Sequence, residues 1–415
     1  MTSRGFLPAL AVTAVLVSAA GCLPLATPKP GWRPAWSVAL GFPGHSPEAM
    51  HCRYVTKIAA GGTRIRAELS DPYPSGATTS FHVRSAAIEL STDSTVSTTS
   101  AGPHFPLTFG STTGVTVGAR AQVTSDPLPL QVSAGQNLIV DLQVDAGDAP
   151  TTVMTTEHTL CRALTDGTTT ADVPVRWLSG LLVDGPAVRS ITALGDSITE
   201  GTAVPTGAYQ RWTDYLAAAG SDVTNRGVSG GAISRPGLYH SLDGLTRLRS
   251  LVTEPGLTDV VIELGTNDLG VGVTPLGVLV ALDEALTIGR SHGLATEIAT
   301  ILPKGVGALP QEQARQALNA VLRGSWLTSR SGVLVDLDAA LRDRTAPSRL
   351  ARPSTPGTTC IPTRRETGRS PAPSLLPSNC LFRVDCFLDS MGQSGTRAAA
   401  VGSGPAMTAL AGRHR

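Results

Sequence analysis

The hydrophobic pattern of the chain changes character twice. From about Arg53 to Val183, apolar and polar positions alternate with period two, as in Thr63–Ser70 (TRIRAELS). Such alternation marks strands buried on one face. Phe81–Leu90, Val115–Val123, Leu128–Val132 and Leu138–Val144 repeat it, separated by clusters of Gly, Pro, Asp and Ser. Several short strands at close spacing predict a sandwich-like or barrel-like all-β domain with no full-length helix. From Ser190 onward, short apolar runs alternate with segments of helical spacing. Strands are predicted at Ile191–Leu194, Val223–Asn225, Asp259–Leu264, Thr296–Leu302 and Val333–Leu337. Helices are predicted at Arg211–Ala219, Leu242–Val252, Leu276–Ser291 and Gln311–Leu327. Strands separated by helices imply an α/β unit, a parallel sheet covered on both faces. After Leu350 the periodicity ceases, and Pro, Thr and Arg dominate.

The N-terminus follows a different rule. Arg4 precedes an uncharged run from Gly5 to Ala20, too short for a comfortable membrane span but suited to a secretory signal. Ala19, Ala20 and Gly21 before Cys22 are similar to a bacterial lipobox, in which the cysteine would carry lipid. The match is imperfect, because a larger aliphatic residue usually stands where Ala19 does. Lipid-anchored and freely secreted forms both fit, and either is extracytoplasmic. The predicted organisation is a signal over 1–22, a Pro-rich linker over 23–46, a β-sandwich-like domain over 47–185, an α/β domain over 186–350 and an irregular tail over 351–415.

Composition narrows the partners. The net charge is +1, so no strong field favours nucleic acid or an anionic membrane surface. Aromatic residues make up 4% of the chain, which argues against a stacking surface for bases. The six cysteines are Cys22, Cys52, Cys161, Cys360, Cys380 and Cys386. Cys52 and Cys161 bracket one segment. They either pair in an oxidising compartment or remain buried thiols, and the export signal favours the pair. No CxxC or His-rich spacing suggests a metal site.

The chemistry sits after three successive predicted strands, at the edge where open α/β sheets build their sites. The first loop is Gly195-Asp196-Ser197-Ile198-Thr199-Glu200-Gly201. A serine at a strand-to-helix turn exposes its hydroxyl to help from backbone N–H groups. It is not the G-x-S-x-G elbow, since Thr199 stands where the second glycine would be. The second loop is Asn225-Arg226-Gly227-Val228-Ser229-Gly230-Gly231, whose glycines allow close approach of a backbone N–H. The third is Gly265-Thr266-Asn267-Asp268, whose amide can donate to a developing oxyanion. Each alone reads as a turn, a glycine loop or a helix cap. Their order, each after a strand, points to a site.

The runs GDSITEG, NRGVSG and ELGTND resemble the first three blocks of the SGNH (GDSL-like) hydrolase family. The stretches AGGTRIRAELSDPYP and PLTFG look like the N-terminal domain of actinobacterial-type members. The resemblance implies a flavodoxin-like three-layer α/β/α domain with a parallel sheet, preceded by the β-sandwich. It implies Ser197 as nucleophile, and an oxyanion hole of the Ser197 N–H, the Gly230 N–H and the Asn267 side chain. It implies a lipase or esterase of acyl-enzyme type acting on acyl or acetyl esters, of small molecules, lipids or glycans, with no cofactor. No membrane contact is implied beyond a lipid anchor at Cys22, and no oligomeric state follows.

The family's last block, D-x-x-H, supplies the acid and base, and no such run follows Asn267. The catalytic His and Asp are therefore unassigned. His240, His292 and His414 read as surface residues. The segment GVLVDLDAALRDRTAPSRL resembles what precedes that block, and the tail after it carries a second signal. A coding permitted for Ser354–Arg369, read from the third base of the first codon, gives Tyr-Ser-Gly-Asp-His-Leu-His-Pro-Asn-Ala-Ala-Gly-Asp-Arg-Ala. This run contains D-x-x-H. It implies a frameshift between about Asp343 and Ser354, an irregular tail, and an impaired enzyme as the chain stands. Two further readings stand beside this one. The chain could be a non-catalytic pseudoenzyme. Alternatively, the β-domain could bind glycans through Trp32, Trp36 or Trp177, although those residues more readily pack in cores.

Overall fold

The computed structural model describes residues 28–73, 80–91, 102–237, 241–303, 309–343 and 345–350. The signal and Cys22, the tail with Cys360, Cys380, Cys386 and His414, and His240 lie outside them.

The alternating stretch folds as two packed antiparallel sheets. One has the order β1 (Gly31–Ser37), β13 (Leu178–Gly185), β4 (Arg64–Asp71), β8 (Ala121–Thr124). The other has the order β12 (Thr169–Ala171), β11 (Thr159–Ala163), β3 (Met50–Lys57), β9 (Asn137–Val144), β5 (Ser80–Ser91), β6 (His104–Leu107), with β7 (Val115–Gly118) also on β5. A two-stranded ribbon joins β2 (His45–Ser46) to β10 (Gly147–Asp148). Ile65, Ala67 and Leu69 of one sheet share a core with Phe81, Val83 and Leu142 of the other. Period two is what places those residues on one face. Cys52 and Cys161 are directly opposed on β3 and β11 and form a disulfide.

Three expectations need correction. The segment 23–46 is not a linker throughout: β1 lies inside it and pairs along β13. Pro34 is accommodated because the register shifts between Pro34 and Trp36. Val115–Val123 is not one strand. The chain turns at Arg120, which has φ 58°, so that β7 and β8 join different sheets. Leu128–Val132 makes only isolated bridges, from Leu128 to Ile65 and from Val132 to Gly62. Trp36 and Trp177 are buried in the sandwich core. Trp32 is half-buried and packed by Arg64 and Arg66.

The second domain is a five-stranded parallel sheet of order β15 (Asp222–Gly227), β14 (Ser190–Gly195), β16 (Asp259–Glu263), β17 (Ala295–Ala299), β18 (Val333–Val335). This is the 2-1-3-4-5 order of flavodoxin-like sheets. Eight helices are described: α1 (Ser197–Glu200), α2 (Trp212–Ala218), α3 (Gly244–Leu251), α4 (Thr266–Gly270), α5 (Pro275–Ser291), α6 (Leu309–Arg323), α7 (Ser325–Thr328) and α8 (Leu337–Leu341). The predicted helix over Gln311–Leu327 is thus two, broken at Gly324. Val260 and Ile262 pack with α3, α5 and α6 on one face, while Val261 packs with Trp212 and Leu341 on the other. The sheet is therefore buried on both sides, which explains its continuous apolar runs.

The sandwich covers the edge strand β15. Arg33 Nε donates to Asp222 Oδ2 (2.8 Å), Arg226 Nη1 to the Val38 carbonyl (2.8 Å) and Ser37 Oγ to the Asn225 carbonyl (3.3 Å). An uncovered edge would present unpaired backbone groups to other chains.

Candidate active site

In the parallel register, Gly195 of β14 stands opposite Gly227 of β15 and Glu263 of β16. The three loops therefore leave the sheet side by side, at one edge. Ser197 opens α1, partly exposed, and Asp196 before it is fully buried. Asp196 caps the helix: its Oδ1 accepts from the Ile198 N–H at 2.8 Å. That bond fixes the turn on which Ser197 sits.

Gly227 must be glycine, since a Cβ there would lie 2.1 Å from the Glu200 nitrogen. Asn225 ties the same two loops: its Nδ2 donates to the Thr199 carbonyl and to Thr213 Oγ1. Gly230 is buried with φ 73°, in the left-handed region that favours glycine. Asn267, partly exposed on α4, donates from Nδ2 to the Gly231 carbonyl at 2.8 Å. The same amide nitrogen lies 3.5 Å from Asp196 Oδ2, at the outer limit for a hydrogen bond. Asn267 thus stands between the serine loop and the glycine loop.

Four supporting residues were not singled out in the sequence. Asp268, fully buried, accepts from the Ile233 N–H (2.9 Å), the Ser234 N–H (2.9 Å) and Ser234 Oγ (2.5 Å). It anchors the second loop to the third. Glu200 accepts from the Ser229 N–H (2.5 Å) and, across the domain boundary, from the Val153 (3.0 Å) and Met154 (2.9 Å) N–H groups. Burial raises its pKa, and those hydrogen bonds oppose the rise. Glu263 lies beneath the nucleophile turn and accepts from Thr199 Oγ1 at 2.9 Å. Burial, with Asp196 next, pushes its pKa well above the usual carboxylate range. Arg247 of α3 donates from Nη2 to the carbonyls of Gly195 (3.2 Å) and Arg226. Glu200, Glu263 and Asp268 lie inside the quoted motifs and could have been found there. Arg247 carries no sequence signal.

Among the described residues, no histidine hydrogen-bonds Ser197. His292 is exposed at the end of α5, beside the Ile288 carbonyl. His–Asp pairs occur in the sandwich, at His51–Asp141, His82–Asp145 and His158–Asp172. Among these residues no group of His, Cys, Asp and Glu is arranged to hold a metal ion.

Residues 193–355 match the model of the GDSL-like Lipase/Acylhydrolase family. The α/β domain is an SGNH (GDSL-like) hydrolase domain. The match leaves the sandwich outside it. Solved structures similar to this SGNH domain include AlinE4, an SGNH-hydrolase family esterase, at 22% identity, covering 38% of this chain and 80% of that one with a TM-score of 0.31. TesA is similar at 25% identity, with 37% and 81% covered and a TM-score of 0.31. A lipolytic protein of the G-D-S-L family from Veillonella parvula DSM 2008 is similar at 20% identity, with 36% and 78% covered and a TM-score of 0.31. A search among curated proteins finds no match. The SGNH assignment supports esterase or acylhydrolase chemistry as the class of activity.

Proposed function

We propose that the chain is an exported carboxylic-ester hydrolase of acyl-enzyme type, acting on acyl or acetyl esters, with Ser197 as nucleophile. The observation that carries this reading is the position of the Asn267 amide, bonded to the Gly231 carbonyl and adjacent to Asp196. One amide N–H holds the glycine loop, and the other, only weakly engaged by Asp196 Oδ2 at 3.5 Å, turns to the substrate oxygen. Ser197 Oγ attacks the ester carbonyl carbon, and the carbonyl oxygen takes the negative charge. The Ser197 N–H, the Gly230 N–H and Asn267 donate to that oxygen. Collapse expels the alcohol and leaves an acyl-serine, which water hydrolyses to the acid. The serine proton passes to a base and returns to the leaving alcohol. We assign that base to the histidine of the D-x-x-H block recovered in the shifted frame. The chain as it stands is then impaired, holding only about 10³–10⁴-fold acceleration over water.

Export is supported by the N-terminal apolar run and by the Cys52–Cys161 disulfide, a bond kept in oxidising compartments. The missing block favours a second reading, a pseudoenzyme. A fluorophosphonate separates the two, since it labels only an activated serine. The chain with the shifted-frame D-x-x-H block restored should be labelled at Ser197, as identified by mass spectrometry of the modified peptide, the chain as it stands much more slowly, and Ser197→Ala not at all. A folded chain that stays unlabelled with the block restored would establish the pseudoenzyme.

A further inference from the structure

Arg247 differs from the other buried arginines of the described residues. Arg33, Arg53, Arg211, Arg226 and Arg315 each ion-pair with a carboxylate, namely Asp222, Glu89, Glu157, Glu254 and Asp338. Arg247 is 9% exposed and forms no ion pair among the described residues. Its hydrogen bonds go to two carbonyls, and its Nη1 has no partner. Tyr73, Glu200 and Asp196 act on it through space, and neither carboxylate forms an ion pair with it. A buried, unmatched cation is costly: burial pushes the Arg247 guanidinium down to about 10.

Arg247 lines a cleft of about 620 Å³ between the two domains, within the size range of small-molecule sites. Two further donors of the lining are buried without partners, Arg226 Nε and the Tyr73 hydroxyl. Glu254 Oε2 is also unpartnered, and burial raises that carboxyl's pKa towards its protonated form. Arg226 already ion-pairs with Glu254, and Arg120, exposed, also lines the cleft, so Arg247 is the buried guanidinium of the lining without an ion pair. Leu40, Val228 and Leu242 supply an apolar wall. Ser197 and Asn267 are not part of the lining.

We propose that this interdomain cleft binds a small carboxylate carrying a hydrocarbon chain, with its head on Arg247 and Tyr73 and its chain against Leu40, Val228 and Leu242. The buried guanidinium of Arg247 selects an anionic head, and the apolar wall selects a tail over a bare ion. The site is separate from the nucleophile and does not require that Ser197 react.

The test is calorimetric titration of octanoate into the full chain carrying Ser197→Ala, so that loss of esterase activity and loss of binding cannot be confused. Octanoate should bind one-to-one, and Arg247→Met should weaken it at least tenfold. Octanol should bind at least tenfold more weakly than octanoate. Leu242→Trp, which narrows the cleft away from the Arg247 contacts, should also weaken octanoate tenfold, and it decides the matter if Arg247→Met does not fold. Absent octanoate binding, or binding unchanged by these variants, would overturn the proposal. Inorganic phosphate binding as tightly as octanoate would also overturn it, by showing a plain anion site. A chain-length series distinguishes the source of the acid. An optimum shared with ester turnover identifies the enzyme's own product, and a different optimum identifies an acid from elsewhere. Either optimum supports the site.

Discussion

The side-chain amide of Asn267 donates to the carbonyl of Gly231 at 2.8 Å, so the third loop of the sheet edge is bonded to the second beside the Asp196–Ser197 turn. Asn267 supports the glycine loop, and in the proposed mechanism it also donates towards the substrate oxygen. Replacing it with Ala should slow fluorophosphonate labelling of Ser197 by about 10²–10³, the usual effect of one oxyanion donor. Labelling at the wild-type rate would remove Asn267 from the oxyanion hole.

Asp268 gathers three donors from Ile233 and Ser234 in a buried position. Asp268→Ala leaves the two backbone N–H groups without partners. Each charge-assisted bond of this kind contributes about 1.5–3 kcal/mol. A loss of roughly 3 kcal/mol or more in urea unfolding is expected, together with slower Ser197 labelling at temperatures where the variant is folded. Unchanged stability would mean that the loop finds other partners.

The Cys52–Cys161 disulfide joins residues 109 apart in sequence. Constraining so long a loop in the unfolded chain stabilises the sandwich by about 2–5 kcal/mol. The double variant Cys52→Ala, Cys161→Ala should unfold at correspondingly lower denaturant concentration, and reductant should destabilise the wild type but not the variant. A wild type indifferent to reductant would show that the bond adds little.

Glu68 of β4 is buried, with Gln122 Nε2 donating to it at 2.9 Å, and burial raises its pKa from 4.5 to about 7. A carboxyl raised on folding binds its proton more tightly in the native state. Its contribution is full below the unfolded value of 4.5 and is lost as pH rises through about 7. Thermal stability measured across this interval should decline less in Glu68→Gln than in the wild type. Parallel profiles would show that Glu68 does not carry that part of the pH dependence.

The sequence reading reached the site because its parts are local. GDSITEG, NRGVSG and ELGTND each occupy one strand-to-loop transition, and parallel β–α order then places the three at one edge. Ser197, Gly230 and Asn267 could therefore be named without coordinates. The supports were less legible. Glu200 appears as the sixth residue of a motif, but its partners Val153 and Met154 come from a different domain.

The sandwich shows the same division. β4, β5 and β9 carry clean alternation, which reports which face of a strand is buried. β1 contains a proline and two tryptophans and reads as an irregular lead-in, yet it forms a strand because β13 offers it a backbone partner. Alternation along the chain is a property of each segment and its own side chains, so the amino-acid order alone determined the change from antiparallel to parallel sheet and the order of the three loops. Pairing, domain contact and uncompensated charge depend on groups distant in sequence. Only the folded chain could decide that β1 covers the sheet edge beside β15, that Cys52 meets Cys161, and that Arg247 is buried at an interdomain cleft without a carboxylate of its own.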